Sequence, residues 1–323
     1  MFDTKAKAFW IAGAGKAELR AEILPVPGPD EVGVRTLYSA ISRGTEGLVW
    51  RGAVPESEAE TMRAPFQVGD FPWPVKYGYS AVGVVEAGPE SLMGCKVFCL
   101  HPHQDRFVVP AGAVTVLPSN LPPARAVLAA NMETAVNALW DARPLAGERI
   151  AVIGAGVIGA LVAWLASRIP GTHVQLIDTL AAKASVAAAL GVEFAAPETA
   201  AKNVDLVVHA SANPLGLETA LTLADTEARI VELSWYGTAR VSLPLGAAFH
   251  SRRLTLISSQ VARLPRHLLP RWDHKRRMEL ALNLLCDPIF EVLISGEDDF
   301  TKLPKVLPRV VDDPRVLCHR IRY

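Results

Sequence analysis

Between Arg149 and Arg168 the chain reads RIAVIGAGVIGALVAWLASR, and no other segment restricts its fold so tightly. A β-branched, apolar run gives way to Gly154, Gly156 and Gly159, and then to an apolar stretch of helical length. Read as a strand turning into a helix, the first glycine permits the tight turn. The second lets backbone approach a phosphate, and the third lets helix pack on strand. Val157 and Ile158 would open that helix, whose free N–H groups and dipole favour an anion. The segment is nearly as long as the ~20 apolar residues that span a bilayer, but its glycines fall where a strand would turn, and arginines bound it on both sides. It is expected to be buried in a folded domain, with no membrane as partner.

About twenty residues further on, the motif of a dinucleotide site requires an acid at the end of the next strand. HVQLID ends on Asp178, where a carboxylate would accept hydrogen bonds from the adenosine ribose hydroxyls. A 2'-phosphate about 4 Å from that carboxylate would be opposed by roughly 1–4 kcal/mol, so NAD is expected in preference to NADP. No arginine directly follows Asp178 to offset the repulsion, although Lys183 is within reach.

Around this motif, short β-branched runs (RIAVIG, HVQLID, DLVVHAS, RIVELSW, LTLISSQV) alternate with alanine-rich helical stretches, the pattern of an α/β, doubly wound parallel sheet of the Rossmann type. Before residue 121 the chain is rich in Val, Gly and Pro, with short runs such as EVGVRTLYSAIS and SAVGVVEAG that predict a β-rich domain. After residue 271 come two helical segments, HKRRMELALNLLCD and TKLPKVLPRVVDD, and a closing strand, RVLCHRIRY. The expected domains are 1–121 with 271–323, and 122–270.

Lys and Arg balance Asp and Glu, 33 against 33, so no net field recommends nucleic acid, and a small-molecule substrate fits better. The four cysteines form no CxxC pair or disulfide framework, and no secretory leader is evident at the N-terminus. A cytoplasmic protein is expected.

With these elements in this order, the chain resembles the medium-chain dehydrogenase/reductase superfamily over nearly its whole length. The resemblance implies a GroES-like catalytic domain to which the C-terminus returns, and a contact of Lys183 with the adenosine ribose. YSAISRGTEGLVWRG and PVKYGYSAVGVVEAG resemble the two segments that carry metal ligands in zinc members, and the first is most similar to the bacteriochlorophyllide hydroxyethyl dehydrogenases. Zinc members have Cys-Gly-Thr-Asp and Gly-His-Glu there. In this chain Arg43 replaces the Cys, Gly44 and Thr45 match, and Glu46 replaces the Asp. Gly78 matches, while Tyr79 and Ser80 replace the His and Glu. AANMETAVN offers Glu133 only approximately in the place of a third ligand. Zinc needs three such ligands and an open position, so no catalytic zinc is expected. A rival metal reading joins Cys95, Cys99, His101 and His103, the cysteines sharing one face of a strand. Against it stands the ordinary burial of free cysteine in a core.

Without zinc, the reacting oxygen is left to Tyr79, Thr45 and Arg43. The resemblance puts Thr45 at the proton-relay hydroxyl; Tyr79 offers a phenol, and Arg43 a fixed charge that would draw the phenol pKa down from about 10. The structural alternatives are a core role for Tyr79, an N-cap role for Thr45 and an Arg43–Glu46 ion pair. His101 and His103 are the reserve proton-handling pair, and Trp235 and Tyr236 candidates for the nicotinamide pocket. The reading is an NAD-dependent, zinc-independent alcohol/carbonyl oxidoreductase, expected as a homodimer paired near Leu254–Val261. The alternatives are a reductase of quinones or activated double bonds and a non-catalytic NAD sensor.

Overall fold

A computed structural model describes residues 2–323. They form two compact units, one running to Ala130 and resuming at Met278–Tyr323, the other Asn131–Arg277.

The second unit is built on six strands: β1 (Arg149–Ile153), β2 (His173–Ile177), β3 (Glu193–Ala195), β4 (Val204–His209), β5 (Ala224–Glu232) and β6 (Thr255–Ser258). They lie in the order β3-β2-β1-β4-β5-β6, every neighbouring pair parallel. This is the doubly wound sheet expected from the alternation of strand and helix. The sequence runs named above lack one strand, β3, whose three residues are too short to show a period. Both faces are covered, so β1, β2 and β4 are apolar almost throughout. Ile153, Ile177, Val207 and Ile230 pack with Leu217 and Leu221 of the helix Pro214–Leu223, each such side chain contributing about 1.5–3 kcal/mol. The register sets one row across the sheet, Ile177, Ile153, His209, Glu232 and Ser258. Loops that leave this row share one edge, and the winding reverses between β1 and β4. That reversal is where such sheets bind ligands.

The first unit is β-rich. Strands Ile294–Asp299, Cys318–Arg322, Glu31–Ile41, Ala81–Ala87, Lys96–Cys99 and Val114–Val116 follow one another across a sheet, with Arg106–Pro110 also paired to Glu31–Ile41. The C-terminal strand is antiparallel to Glu31–Ile41, with His319 opposite Ile41 and Arg322 opposite Tyr38. Its Cys318 and Ile321 are buried, which explains why the chain returns. The helix Arg43–Trp50 starts directly after Glu31–Ile41, so GTE lies in its first turn. Among the described residues no helix is long and apolar enough to cross a membrane. The apolar run from Ile150 is divided into β1, a turn and the helix Val157–Ser167.

Candidate active site

In the second unit the three glycines stand where their spacing put them, at the turn, at the helix start and where helix meets strand. Gly154 has φ +105°, and a Cβ there would lie 2.8 Å from the Ser211 nitrogen. A Cβ on Gly159 would lie 1.9 Å from the Gly154 carbonyl oxygen, so only hydrogen fits where helix meets turn. Gly156 caps the helix Val157–Ser167, and a Cβ there would meet nothing within 4 Å. Open space therefore fronts the residues whose N–H groups lack intrahelical acceptors. Asp178 does more than the sequence implied. Its Oδ2 accepts from Ala155 N–H at 2.7 Å and its Oδ1 from Leu180 N–H at 2.9 Å, so the acid braces the turn beside it. A carboxylate has about four acceptor positions, which leaves others for a ligand. Lys183 closes the short turn Ala181–Lys183 and is buried. A turn open at Gly156 and flanked by an acid fits a nicotinamide dinucleotide.

In the first unit, Tyr79 and Thr45 come together as expected, around a third hydroxyl that sequence reasoning missed. Tyr79 donates to Ser42 Oγ, and Thr45 also hydrogen-bonds the phenol. Burial pushes the Tyr79 phenol up to about 12, the bonds from Ser42 and Thr45 pull it partly back, and the Glu46 charge raises it. The expectation that Arg43 lowers this phenol is thus corrected: the charge acting on it is the Glu46 carboxylate. Arg43 instead helps Arg315, the main cause, to hold the Asp313 carboxyl low, at about 2. The N-cap of this helix is Ser42 rather than Thr45.

Behind the hydroxyls runs a buried chain of hydrogen bonds. Glu46, 1 % exposed, accepts from the Ser42 backbone N–H at 2.7 Å and pairs its Oε2 with His103 Nε2 at 3.0 Å. Its two oxygens are directed to these two donors. His103 Nδ1 meets Ser39 Oγ at 2.7 Å, which meets the Tyr323 hydroxyl at 2.9 Å. An ionised Glu46 only accepts, so His103 Nε2–H donates to it; with the ring neutral, Ser39 then donates to His103 Nδ1 and Tyr323 to Ser39. A Cβ on Gly78 would lie 2.8 Å from His103 Cδ2, so glycine at 78 lets this ring approach. The return of the C-terminal strand supplies Tyr323, a contact no local pattern announces. Glu46 four positions after Ser42 was the one visible signal, a carboxylate reaching back to a helix start.

The positions that hold zinc in the resembled family do not make a ligand set here. Ser80 Oγ donates to the Val127 carbonyl at 2.6 Å. Glu133 Oε1 is held at 3.0 Å by both Nε and Nη2 of the buried Arg277. The rival cluster is also dispersed. Cys95 lies just before the strand Lys96–Cys99 and points its thiol at the Ser91 carbonyl, while Cys99 is buried. His101 stacks on Phe107 with centroids 4.0 Å apart, its Nδ1 donating to the Pro102 carbonyl. Burial pushes its imidazole down to about 3. Among the described residues no three His, Cys, Asp or Glu are placed to hold a metal.

The whole chain superposes on solved dehydrogenases. A Sinorhizobium meliloti 1021 protein described as a zinc-binding dehydrogenase, bound to NADP, matches with a TM-score of 0.78 and 18 % identity over 99 % of each chain. An alcohol dehydrogenase of Escherichia coli CFT073 complexed with NADH matches with a TM-score of 0.77 and 17 % identity, over 99 % of this chain and 100 % of that one. The chain has the fold of the medium-chain dehydrogenases. In sequence it is 22 % identical over 314 residues to D-guloside 3-dehydrogenase of Escherichia coli K12, covering 88 % of this chain and 89 % of the relative. No family model matches.

Proposed function

We propose that this protein is a dehydrogenase/reductase that moves hydride between a nicotinamide dinucleotide and an alcohol or carbonyl substrate, without catalytic zinc. The observation that carries the reading is the glycine turn with open space at Gly156, braced by Asp178 on the row of strand ends. Gly154, Gly156, Val157, Ile158 and Gly159 would hold the pyrophosphate, and Asp178 and Lys183 the adenosine ribose. The bound dinucleotide supplies the hydride acceptor or donor. With the Asp178 carboxylate beside that ribose, NAD would be bound at least about tenfold more tightly than NADP.

The chain's own part is to bind and orient the substrate oxygen and to hold its proton. With the phenol at about 12, Tyr79 stays protonated at neutral pH; its one proton, given to Ser42 Oγ in the free protein, would turn to that oxygen when substrate binds, with Thr45 beside it. Glu46 and His103 fix the helix start that presents Ser42. Arg43 contributes at most a general positive field. The relative above is named for oxidation of a glycoside, which makes sugar derivatives and polyols the first substrates to try.

NAD binding followed by fluorescence, then an NAD-linked absorbance screen over glycosides, polyols and simple alcohols, tests the reading. Turnover is expected, with Tyr79→Phe slowing the chemical step about a hundredfold at nearly unchanged NAD affinity. A chain that binds neither NAD nor NADP overturns the proposal. About one tightly held zinc per chain by elemental analysis overturns its metal-free part.

A further inference from the structure

The second unit holds a serine, a histidine and a glutamate in line. His209 ends β4 and Glu232 ends β5, opposite each other in the register. His209 Nδ1 lies 2.7 Å from Glu232 Oε2, and His209 Nε2 lies 2.6 Å from Ser211 Oγ. Glu232 also accepts from Tyr236 O–H at 3.1 Å and from Ser234 N–H at 2.7 Å. With His209 neutral and Glu232 ionised, the His209 proton sits on Nδ1, Nε2 accepts, and the Ser211 hydroxyl gives its one proton to His209. One Ser211 lone pair takes Asn213 N–H at 3.2 Å. Ser211 is only partly buried, and its other lone pair stays available as an acceptor.

The surroundings are built to admit this arrangement. A Cβ on Gly216 would lie 2.6 Å from Ser211 Oγ and 2.7 Å from His209 Nε2. Glycine within the helix Pro214–Leu223 costs about 1 kcal/mol relative to alanine, and here it makes room for the two side chains. Ser211 also packs against Gly154, at the reversal between β1 and β4.

We propose that Ser211, held by His209 and Glu232, accepts a hydrogen bond from a ribose hydroxyl on the nicotinamide side of the bound dinucleotide. The inference rests on the dinucleotide reading above. Asp178 follows β2 on one side of the turn and would take the adenosine side, so the β4 side receives the other nucleoside. An activated nucleophile is the rival use of such a trio. The two N–H groups that follow Ser211 serve no oxyanion, because Ala212 N–H is given to Ser234 Oγ at 3.0 Å and Asn213 N–H to Ser211 itself. His209 and Glu232 are positioning residues acting through Ser211.

Calorimetry with NAD and with ADP, which lacks the nicotinamide riboside, separates this role from a general structural one. Ser211→Ala and His209→Gln should each weaken NAD about tenfold and leave ADP within about twofold, the loss of one hydrogen bond from a dry site. Equal weakening of both ligands, or native NAD affinity in Ser211→Ala, overturns the assignment. Failure of the unaltered protein to bind NAD, NADP and ADP removes the dinucleotide reading and this inference with it. Covalent labelling of Ser211 by a fluorophosphonate would establish the nucleophile instead.

Discussion

Replacing Glu46 with alanine should damage the first unit more than any change on its surface. Glu46 is 1 % exposed and is the acceptor for two donors, the Ser42 backbone N–H at 2.7 Å and His103 Nε2–H at 3.0 Å. Each orphaned buried donor costs about 1–3 kcal/mol, so the loss is about 3–5 kcal/mol, the range for removing one partner of a buried pair. A domain stable by about 5–15 kcal/mol would keep its fold with little margin. With a urea dependence near the upper end of its range for a chain of this size, about 3 kcal/mol per molar, the denaturation midpoint of Glu46→Ala should fall by about 1–2 M. Glu46→Gln keeps an acceptor for Ser42 but turns an amide N–H toward His103. That ring must then take the other tautomer, and Ser39 and Tyr323 must reverse their hydrogen bonds. A loss near half that of alanine is expected, with the tautomer change visible in nitrogen NMR of His103. A Glu46→Ala midpoint within about 0.3 M of native would refute the account of this chain as an ordered, satisfied network.

Gly159→Ala places a Cβ 1.9 Å from the Gly154 carbonyl, so the turn must open; NAD titration should show binding abolished, and native affinity would contradict the role given to this glycine. His101, pushed down to about 3 by burial, lies below its unfolded value of about 6.5. Between these values the unfolded chain binds a proton that the folded chain refuses, so stability is full above about pH 6.5 and falls on acidification, by up to about 1.4 kcal/mol per pH unit. Denaturation at several pH values should show a shallower slope in His101→Gln, and an unchanged slope would assign the acid sensitivity elsewhere. The strand β6 ends its sheet, with Leu256 and Ile257 only partly buried; an unpaired apolar edge favours pairing with a second copy. Light scattering should report a homodimer, and Ile257→Lys a monomer.

The reach of sequence reasoning is clearest at the two halves of the site. Strand, glycines and helix are neighbours along the chain with Asp178 one strand further on, and the positive φ of Gly154 and the steric demand at Gly159 arise within a few residues, so the pattern specifies the turn, while the contact of Gly154 with Ser211 comes from the pairing of β1 with β4. The second bond of Asp178, to Ala155, was not legible, since it depends on β1 and β2 being paired in register. Tyr79 and Thr45 were singled out through the likeness of two segments, and the structure puts their hydroxyls in contact. Ser42 was missed because it reads as a helix start.

What the sequence alone determined is therefore local: the periodicity of the parallel sheet, the glycine turn, and the departure of Arg43, Tyr79 and Ser80 from the usual zinc ligands. The tertiary structure decided the electrostatics. The Tyr79 phenol was expected to fall under the influence of Arg43, and it rises instead, because burial removes the water that would stabilise a phenolate and the nearby charge is Glu46. The carboxylates that face His103 and His209 come from residues 57 positions and 23 positions away, the second through strand pairing. A proton's position is fixed by what faces it across such contacts, and no spacing along the chain encodes that.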